Sequence, residues 1–388
     1  MNILGVAHTE LERAGGLWTA REIAQQPSIW STIDEMMARE AAGVRTFLEP
    51  LLARPDLRVV LTGAGTSAFV GECLAPALKR RIQHQVVAIA TTDLIAAPGD
   101  VLDPNRPMLL ISFARSGNSP ESVAALKLAA QCVPDCHHLI VTCNRDGELY
   151  REALARGSAH IVLLPEQTND RGFAMTSSFT GMMLAMALAF GLQSHSAAAI
   201  AAWGSSLLGA GLPLITSLAK SGFERVVYLG SREFKGLAHE AALKMLELSD
   251  GRIVALAETP LGFRHGPKTI VNDRTLVVVF LSNDPYARRY ELDLLRELRA
   301  DGVAARVVAL QAGAPDAGMG DGSDDDVAVP GALGATDLEL CFPYIVFAQT
   351  LAFLQSLALG LRPDVPNARG VVSRVVQGVS IYPWGERE

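Results

Sequence analysis

RVVLTGAGTSAFVGECLAPAL, residues 58–78, returns later in the chain as RVVYLGSREFKGLAHEAALKM, residues 225–245. Each copy is a short β-branched run, a glycine-containing turn and a helical stretch. Further apolar strands follow in the same order. MLLISFARSGNSPES (108–122) and HLIVTCNRDGEL (138–149) come after the first copy, TLVVVFLSNDPYARRY (275–290) and ARVVALQAG (305–313) after the second. Strands alternating with helices need right-handed crossovers, which produce a mostly parallel sheet covered on both faces. The chain therefore reads as α/β, one unit duplicated, with a first domain over residues 48–211 and a second over 212–388. Ahead of them, residues 1–47 form a helical arm. Within it TAREIAQQPSIWSTIDEMMAREAAGVRTFLEPLLA (19–53) is expected to be helical around Pro27 and to pack across the core or a partner subunit. The stretch AGAPDAGMGDGSDDDVAVPGALGATD (312–337) is rich in Gly, Ala and Asp without periodicity, and is expected to be a mobile surface loop.

Composition narrows the function. The chain has 388 residues, 49% hydrophobic and 19% charged, enough apolar material for two ordinary domains. A formal net charge of -7 with scattered Lys and Arg supplies no basic field, so nucleic acid is not an expected partner. An anionic small molecule remains compatible, because backbone donors bind phosphate whatever the net charge. MNILGVAHTELERAGG lacks the charged and apolar regions of a signal peptide, so the expected location is cytoplasmic. The longest apolar tract, LCFPYIVFAQTLAFLQSLALGL (340–361), raises the question of a membrane span. Pro343, Gln349, Gln355 and the lack of a second such tract favour a buried core or subunit-interface helix instead, so no membrane partner is expected. Five cysteines in a long chain do not suggest a disulfide framework. CVPDCHHLIVTC (132–143) gathers Cys132, Cys136, His137, His138 and Cys143, but LIVTC reads as a buried strand and no second ligand pair follows. No metal and no cofactor are expected.

In open parallel sheets ligands bind beyond the carboxyl ends of the strands, where loops expose backbone N–H groups at helix N-termini. TGAGTS and FARSGNSPES occupy two such positions in the first half. Their small residues, Gly65 among them, let the backbone approach an anion, and Thr66, Ser67, Ser116, Asn118 and Ser119 add side-chain donors. TNDRGFAMTSSFT (168–180) is a third candidate, with Thr176, Ser177 and Ser178 at a helix start. Each loop alone is equally well read as a helix cap. None carries the lysine of a P-loop or the glycine spacing of a dinucleotide fold, so a monophosphate held by neutral donors fits best.

The second half carries charge where the first carries hydroxyls. In GLAHEAALKMLELSD, spacings of four and three residues place Glu240, Lys244 and Glu247 on one face of a helix whose Leu237, Leu243, Leu246 and Leu248 are expected to be buried. A solvated face with an i,i+4 ion pair is the plain reading. Three facing charges on an apolar helix also suit the wall of a site.

These residues resemble the sugar isomerase (SIS) family, in particular the double-domain isomerase portion of glucosamine-6-phosphate synthase. The resemblance covers most of the chain after the arm and implies two tandem SIS domains. It implies that the GAGTS and RSGNS loops bind a sugar phosphate, with Ser67, Ser116 and Ser119 as ligands and Arg115 nearby. HEAALKMLE matches the family's functional helix, which makes Glu247 the base between C1 and C2, with Glu240 and Lys244 at its other charged positions. FRHGP places His265 as the residue that opens the sugar ring, often in a neighbouring subunit's site, which implies a homodimer or higher homo-oligomer with shared sites. Two departures accompany the match. No cysteine lies near Met1-Asn2 to act as a glutaminase nucleophile, and the tail PDVPNARGVVSRVVQGVSIYPW contains no lysine for a Schiff base. TAREIAQQPSIW, SFARSGNSPES and RVVQGVSIYP together look like the galactosamine-6-phosphate deaminase and tagatose-6-phosphate ketose/aldose isomerase group. The implied activity is deamination of a hexosamine 6-phosphate to a ketose 6-phosphate and ammonia. Plain aldose–ketose isomerisation, fructosamine-phosphate deglycation and non-catalytic sugar-phosphate sensing are the alternatives.

Overall fold

The computed structural model describes residues 2–313, 326–367, 369–376 and 378–385. Its strands are β1 (Asn2–Ile3), β2 (Val6–Ala7), β3 (Arg58–Thr62), β4 (Gln85–Ala88), β5 (Met108–Ala114), β6 (Cys136–Thr142), β7 (Ala159–Leu163), β8 (Arg225–Leu229), β9 (Val254–Glu258), β10 (Thr275–Phe280), β11 (Arg306–Ala312) and β12 (Val327–Val329). The chain divides into two compact units. One consists of Met1–Ser31, Asp170–Thr176 and Gln193–Ala368, the other of Thr32–Asn169, Ser177–Leu192 and Arg369–Glu388.

In the unit that begins at Thr32, a five-stranded sheet runs in the order β4-β3-β5-β6-β7, every pair parallel. β5 is buried along its whole length, as a continuous apolar run at the centre of a parallel sheet must be. The unit that begins at Met1 holds the second sheet, β12-β11-β10-β8-β9, again all parallel, beside a small antiparallel hairpin of β1 and β2. Numbered within each repeat, both sheets follow the order 2-1-3-4-5. The strand order therefore reverses between β3 and β5 in one and between β8 and β10 in the other, and these switch points are where an open α/β sheet exposes a binding crevice.

The duplication extends to backbone contacts. Gly63 follows β3 and Gly230 follows β8, and each packs against the first turn of the next helix. A methyl group at Gly63 would meet Ser67 C at 2.5 Å, and one at Gly230 would collide with Phe234 O. Only glycine lets strand and helix approach this closely.

The arm is helical as expected, and its main helix, Gln26–Leu52, is 27 residues long. Trp30, Ile33, Met37, Val44, Leu48 and Leu51 are buried along it at steps of three, four and seven residues, one apolar face at helical period. The apolar tract becomes the helix Asp337–Ala358, opened by a capping box between Thr336 and Glu339. It is long and apolar enough to cross a membrane, yet 94% of its most apolar 18-residue window is buried inside the protein, which makes it a core helix.

Two expectations are corrected here. The stretch 312–337 is not a loop throughout: Val327–Val329 pairs in parallel with β11, and Thr336 caps a helix. Three β-branched or small residues were too short a run to stand out beside the acidic sequence. The part of that loop over 314–325 lies outside the described residues. On the Glu233–Leu248 helix, Leu246 is exposed and Leu243 only half-buried, because the helix turns one apolar flank outward. Gly230→Ala is expected to lower the melting temperature measured by calorimetry, since forcing a methyl into a closed contact costs about 1–3 kcal/mol; an unchanged temperature would refute the close-approach reading.

Candidate active site

The Glu233–Leu248 helix follows β8 and brings Glu240, Lys244 and Glu247 together. The side chain of Lys244 has no exposed surface, and its Nζ lies 3.5 Å from a Glu240 oxygen and in direct hydrogen-bonding contact with Glu247. Glu240 is equally buried, whereas 23% of the Glu247 side chain remains accessible. A buried ammonium is tolerable only with compensating charge and hydrogen bonds, and here two carboxylates share one cation. The solvated-face reading is thereby excluded for Glu240 and Lys244. Glu247 is the one member of the trio with accessible side-chain surface. His265 is exposed on the turn after the Pro260–Phe263 helix, and its backbone N–H donates to Gly262 O at 2.9 Å. No hydrogen bond or ion pair joins His265 to the charged trio among the described residues.

In the other unit, the two expected phosphate loops flank the β3/β5 switch point. Gly65, at φ 54° and ψ -126°, precedes the Thr66–Ile82 helix, whose first residues Thr66 and Ser67 are buried. The second loop turns through Gly117, at φ 65°. Ser119 Oγ accepts from Ser122 N at 3.3 Å as the N-cap of the Pro120–Cys132 helix and donates to Glu121 at 2.9 Å. Asn118 Oδ1 accepts from Glu148 N at 3.0 Å, and Ser116 O accepts from Asn144 Nδ2 at 2.8 Å. The loop is thus held from behind by Asn144 and the start of the next helix. Arg115 is buried and donates to Arg374 O at 2.8 Å, which ties the strand end to the C-terminal segment of the same unit. The buried hydroxyls of Thr62 at the end of β3, of Ser112, its register partner within β5, and of Thr91 at the start of the helix after β4 have no hydrogen-bond partner among the described residues.

The third loop is organised by carboxylates. Asp170 accepts from Thr176 N at 2.8 Å and from Thr176 Oγ1 at 3.3 Å. Glu22 accepts from the N–H groups of Arg171 and Gly172. Asp364 accepts from Thr19 N and Oγ1, each at 2.8 Å. Burial, reinforced by the negative charge of Asp170 and then Asp364 and opposed by the two backbone donors, pushes the Glu22 carboxyl up to about 8.

Several residues at the β8/β10 switch point were missed by sequence reasoning. Arg232 Nη1 lies 2.8 Å from Asp284 and 3.4 Å from Asp337, and Nε lies 3.6 Å from buried Glu233. Ser282 N donates to Glu291 at 2.7 Å, Ser282 Oγ to Asp337 at 2.6 Å and Asn283 N to Asp337 at 2.9 Å. Burial raises Glu291 to about 7 despite the donor at Ser282. One signal was available: Arg232 occupies the place in its repeat that Gly65 occupies in the other. Among the described residues no group of His, Cys, Asp and Glu is arranged to hold a metal ion, and the cysteines are free thiols.

Two 2-1-3-4-5 sheets, one with small polar loops at its switch point, make a duplicated open α/β fold of the ligand-binding class. A SIS domain family model matches residues 51–192. The D-galactosamine-6-phosphate deaminase AgaS of Escherichia coli O157:H7 is 45% identical over 386 residues, covering 97% of this chain and 98% of that protein. The crystal structure of tagatose-6-phosphate ketose/aldose isomerase from Escherichia coli superposes with a TM-score of 0.87 at 43% identity, over 96% of this chain and 98% of that one. The C-terminal domain of glucosamine-fructose-6-phosphate aminotransferase from Francisella tularensis shares the fold, with a TM-score of 0.73 at 17% identity over 90% and 98% of the two chains. This chain belongs to the SIS-domain family of AgaS-type sugar-phosphate deaminases and isomerases.

The raised carboxyls give a stability prediction. Glu22 and Glu291 hold protons in the folded state that the unfolded chain releases above the ordinary carboxyl value of 4.5. Their stabilisation is complete below that value and is lost as pH rises through about 7 for Glu291 and about 8 for Glu22. The melting temperature is expected to fall between pH 5 and pH 9, and Glu22→Gln to flatten the upper part of that fall. An equally steep fall in the variant would remove Glu22 as its source.

Proposed function

We propose that this chain is an amino-sugar 6-phosphate deaminase/isomerase, converting galactosamine-6-phosphate or a similar hexosamine phosphate to a ketose 6-phosphate and ammonia. The observation that carries the reading is Glu247, a part-accessible carboxylate hydrogen-bonded to a fully buried ammonium. Full-length similarity to AgaS supports the substrate class.

In this reading His265 assists ring opening, which frees a C1 aldehyde and acidifies the C2 proton. Glu247 removes that proton and returns it to C1, leaving an imine at C2. Water adds to the imine, the C–N bond breaks, and ammonia and the ketose leave. Lys244, paired on its other side with Glu240, holds Glu247 in place. The backbone of Gly65 and the donors of Thr66, Ser67, Arg115, Ser116, Asn118 and Ser119 hold the 6-phosphate. The enol intermediate needs only fixed donors at its oxygen. Val371, Tyr382 and Trp384, large apolar side chains left exposed on the C-terminal segment, support a homo-oligomer.

Plain isomerisation is the second reading, favoured by the similarity to tagatose-6-phosphate ketose/aldose isomerase. The same base acting on an aldose without a 2-amino group yields the ketose directly. Incubating the protein with galactosamine-6-phosphate, glucosamine-6-phosphate and tagatose-6-phosphate, with ammonia and ketose measured together, separates the two. Release of both from a hexosamine phosphate is expected; loss of ketose from tagatose-6-phosphate as it becomes the aldose, with no ammonia from either hexosamine phosphate, selects isomerisation. Glu247→Gln is expected to lower kcat by about 10²–10⁴, the usual worth of a general base, and full turnover would eliminate it. Ser67→Ala is expected to raise KM severalfold with kcat little changed, as for lost phosphate binding shared by ground and transition states; an unchanged KM would remove Ser67 from the phosphate loop.

A further inference from the structure

Arg232 stands in a backbone conformation that its counterpart in the other repeat reserves for glycine. Gly65 precedes its helix at φ 54°, ψ -126°, and Arg232 precedes its own at φ 57°, ψ -120°. This region is essentially glycine-only, so a side chain there is strained and persists only where its surroundings over-determine it. Those surroundings are carboxylates. Asp284 is the N-cap of the Pro285–Asp301 helix, Asp337 opens the Asp337–Ala358 helix, and Glu233 opens the helix that carries Glu240, Lys244 and Glu247. One guanidinium therefore ties the N-termini of three helices beyond the carboxyl edge of one sheet. A cation at three positive dipole ends would be unfavourable without those acids, which is why each helix supplies one in its first turn or cap.

This switch point does not offer an open anion crevice. The backbone donors of Ser282 and Asn283 after β10, the place held by the phosphate loop in the other sheet, are taken by Glu291 and Asp337. Arg288 faces the same turn, donating to Ser282 O at 3.2 Å and to Gln311 at 2.8 Å. The duplicated turn has exchanged a binding role for internal ion pairing.

We propose that Arg232 is a positioning residue for the proton transfer: it clamps the first turn of the Glu233–Leu248 helix to the Asp284 and Asp337 helix ends, and so sets where Lys244 and Glu247 stand. An α-helix rises a fixed 1.5 Å per residue, so axial slip at its first turn carries along to Glu247. The inference rests on Glu247 being the base, and Glu247→Gln is assayed alongside for that reason.

The test compares wild type with Arg232→Gly, which relieves the backbone and removes the cation, and with Arg232→Lys, which keeps the charge and loses the fork. Steady-state kinetics are measured across pH on the full-length protein, with the melting temperature of each variant. For Arg232→Gly, kcat is expected to fall about tenfold to a hundredfold with KM within about threefold, as misplacement of a reacting group does. The acid limb of its kcat–pH profile is expected to move, because the Lys244–Glu247 pairing changes, and Arg232→Lys is expected to recover part of the rate. If Arg232→Gly does not fold, Arg232→Lys alone decides, by a lowered kcat and a moved acid limb at unchanged KM. Wild-type kcat and pH profile in the folded variants, with Glu247→Gln inactive, overturn the clamp and leave the base reading intact. Full turnover in Glu247→Gln overturns the base reading and the clamp with it.

Discussion

A lysine ammonium with no exposed surface constrains this protein more than any other single group. Lys244 cannot stay charged inside the protein unless opposite charge lies against it, and Glu240 and Glu247 lie one turn away on either side. Removing either partner from a buried pair is worth about 3–5 kcal/mol of destabilisation. The trio is therefore structural and chemical together. Its geometry requires an unbroken helix from Glu233 to Leu248, which depends on the glycine contact at Gly230 where strand passes into helix. The same pairing leaves one carboxylate, Glu247, partly in reach of solvent, and the proposed division of roles within the trio rests on that asymmetry.

The two repeats show how one fold is put to different uses. Both sheets have the same strand order and the same close strand–helix approach. At the β3/β5 switch point the turns are lined with glycine, serine and threonine, the residues to which phosphate binding is proposed. At the β8/β10 switch point comparable donors are already occupied by Asp337 and Glu291, and Arg232 replaces a glycine. Function follows which donors the chain itself consumes, because a backbone N–H used internally cannot also bind a ligand.

Much of this was legible along the chain. The repeat and the parallel sheets follow from short β-branched apolar runs, buried on both faces, that alternate with glycine turns and helical stretches, and the arm reads as helical. The charged stripe was legible as a face, and the small-residue loops as turns. Leu246 was misjudged because period alone does not say how wide the buried face is. Val327–Val329 was hidden because a three-residue edge strand is stabilised by its neighbour, β11, and has almost no signature of its own. Ser119 showed why a hydroxyl at a helix start is ambiguous: it caps the Pro120–Cys132 helix whatever else it does.

The amino-acid sequence by itself determined the α/β class, the duplication, and the side chains available at each turn, since these depend on local pattern and chemical identity. Tertiary structure alone decided that Lys244 and Glu240 are buried while Glu247 is not, and that Arg232 bridges acids from three different helices. It also decided that Glu22 holds the Arg171–Gly172 turn from a position far away in sequence. Burial and long-range pairing are properties of neighbours in space. A carboxylate's charge, donor partners and reach are set by the elements packed around it, which no spacing along the chain encodes.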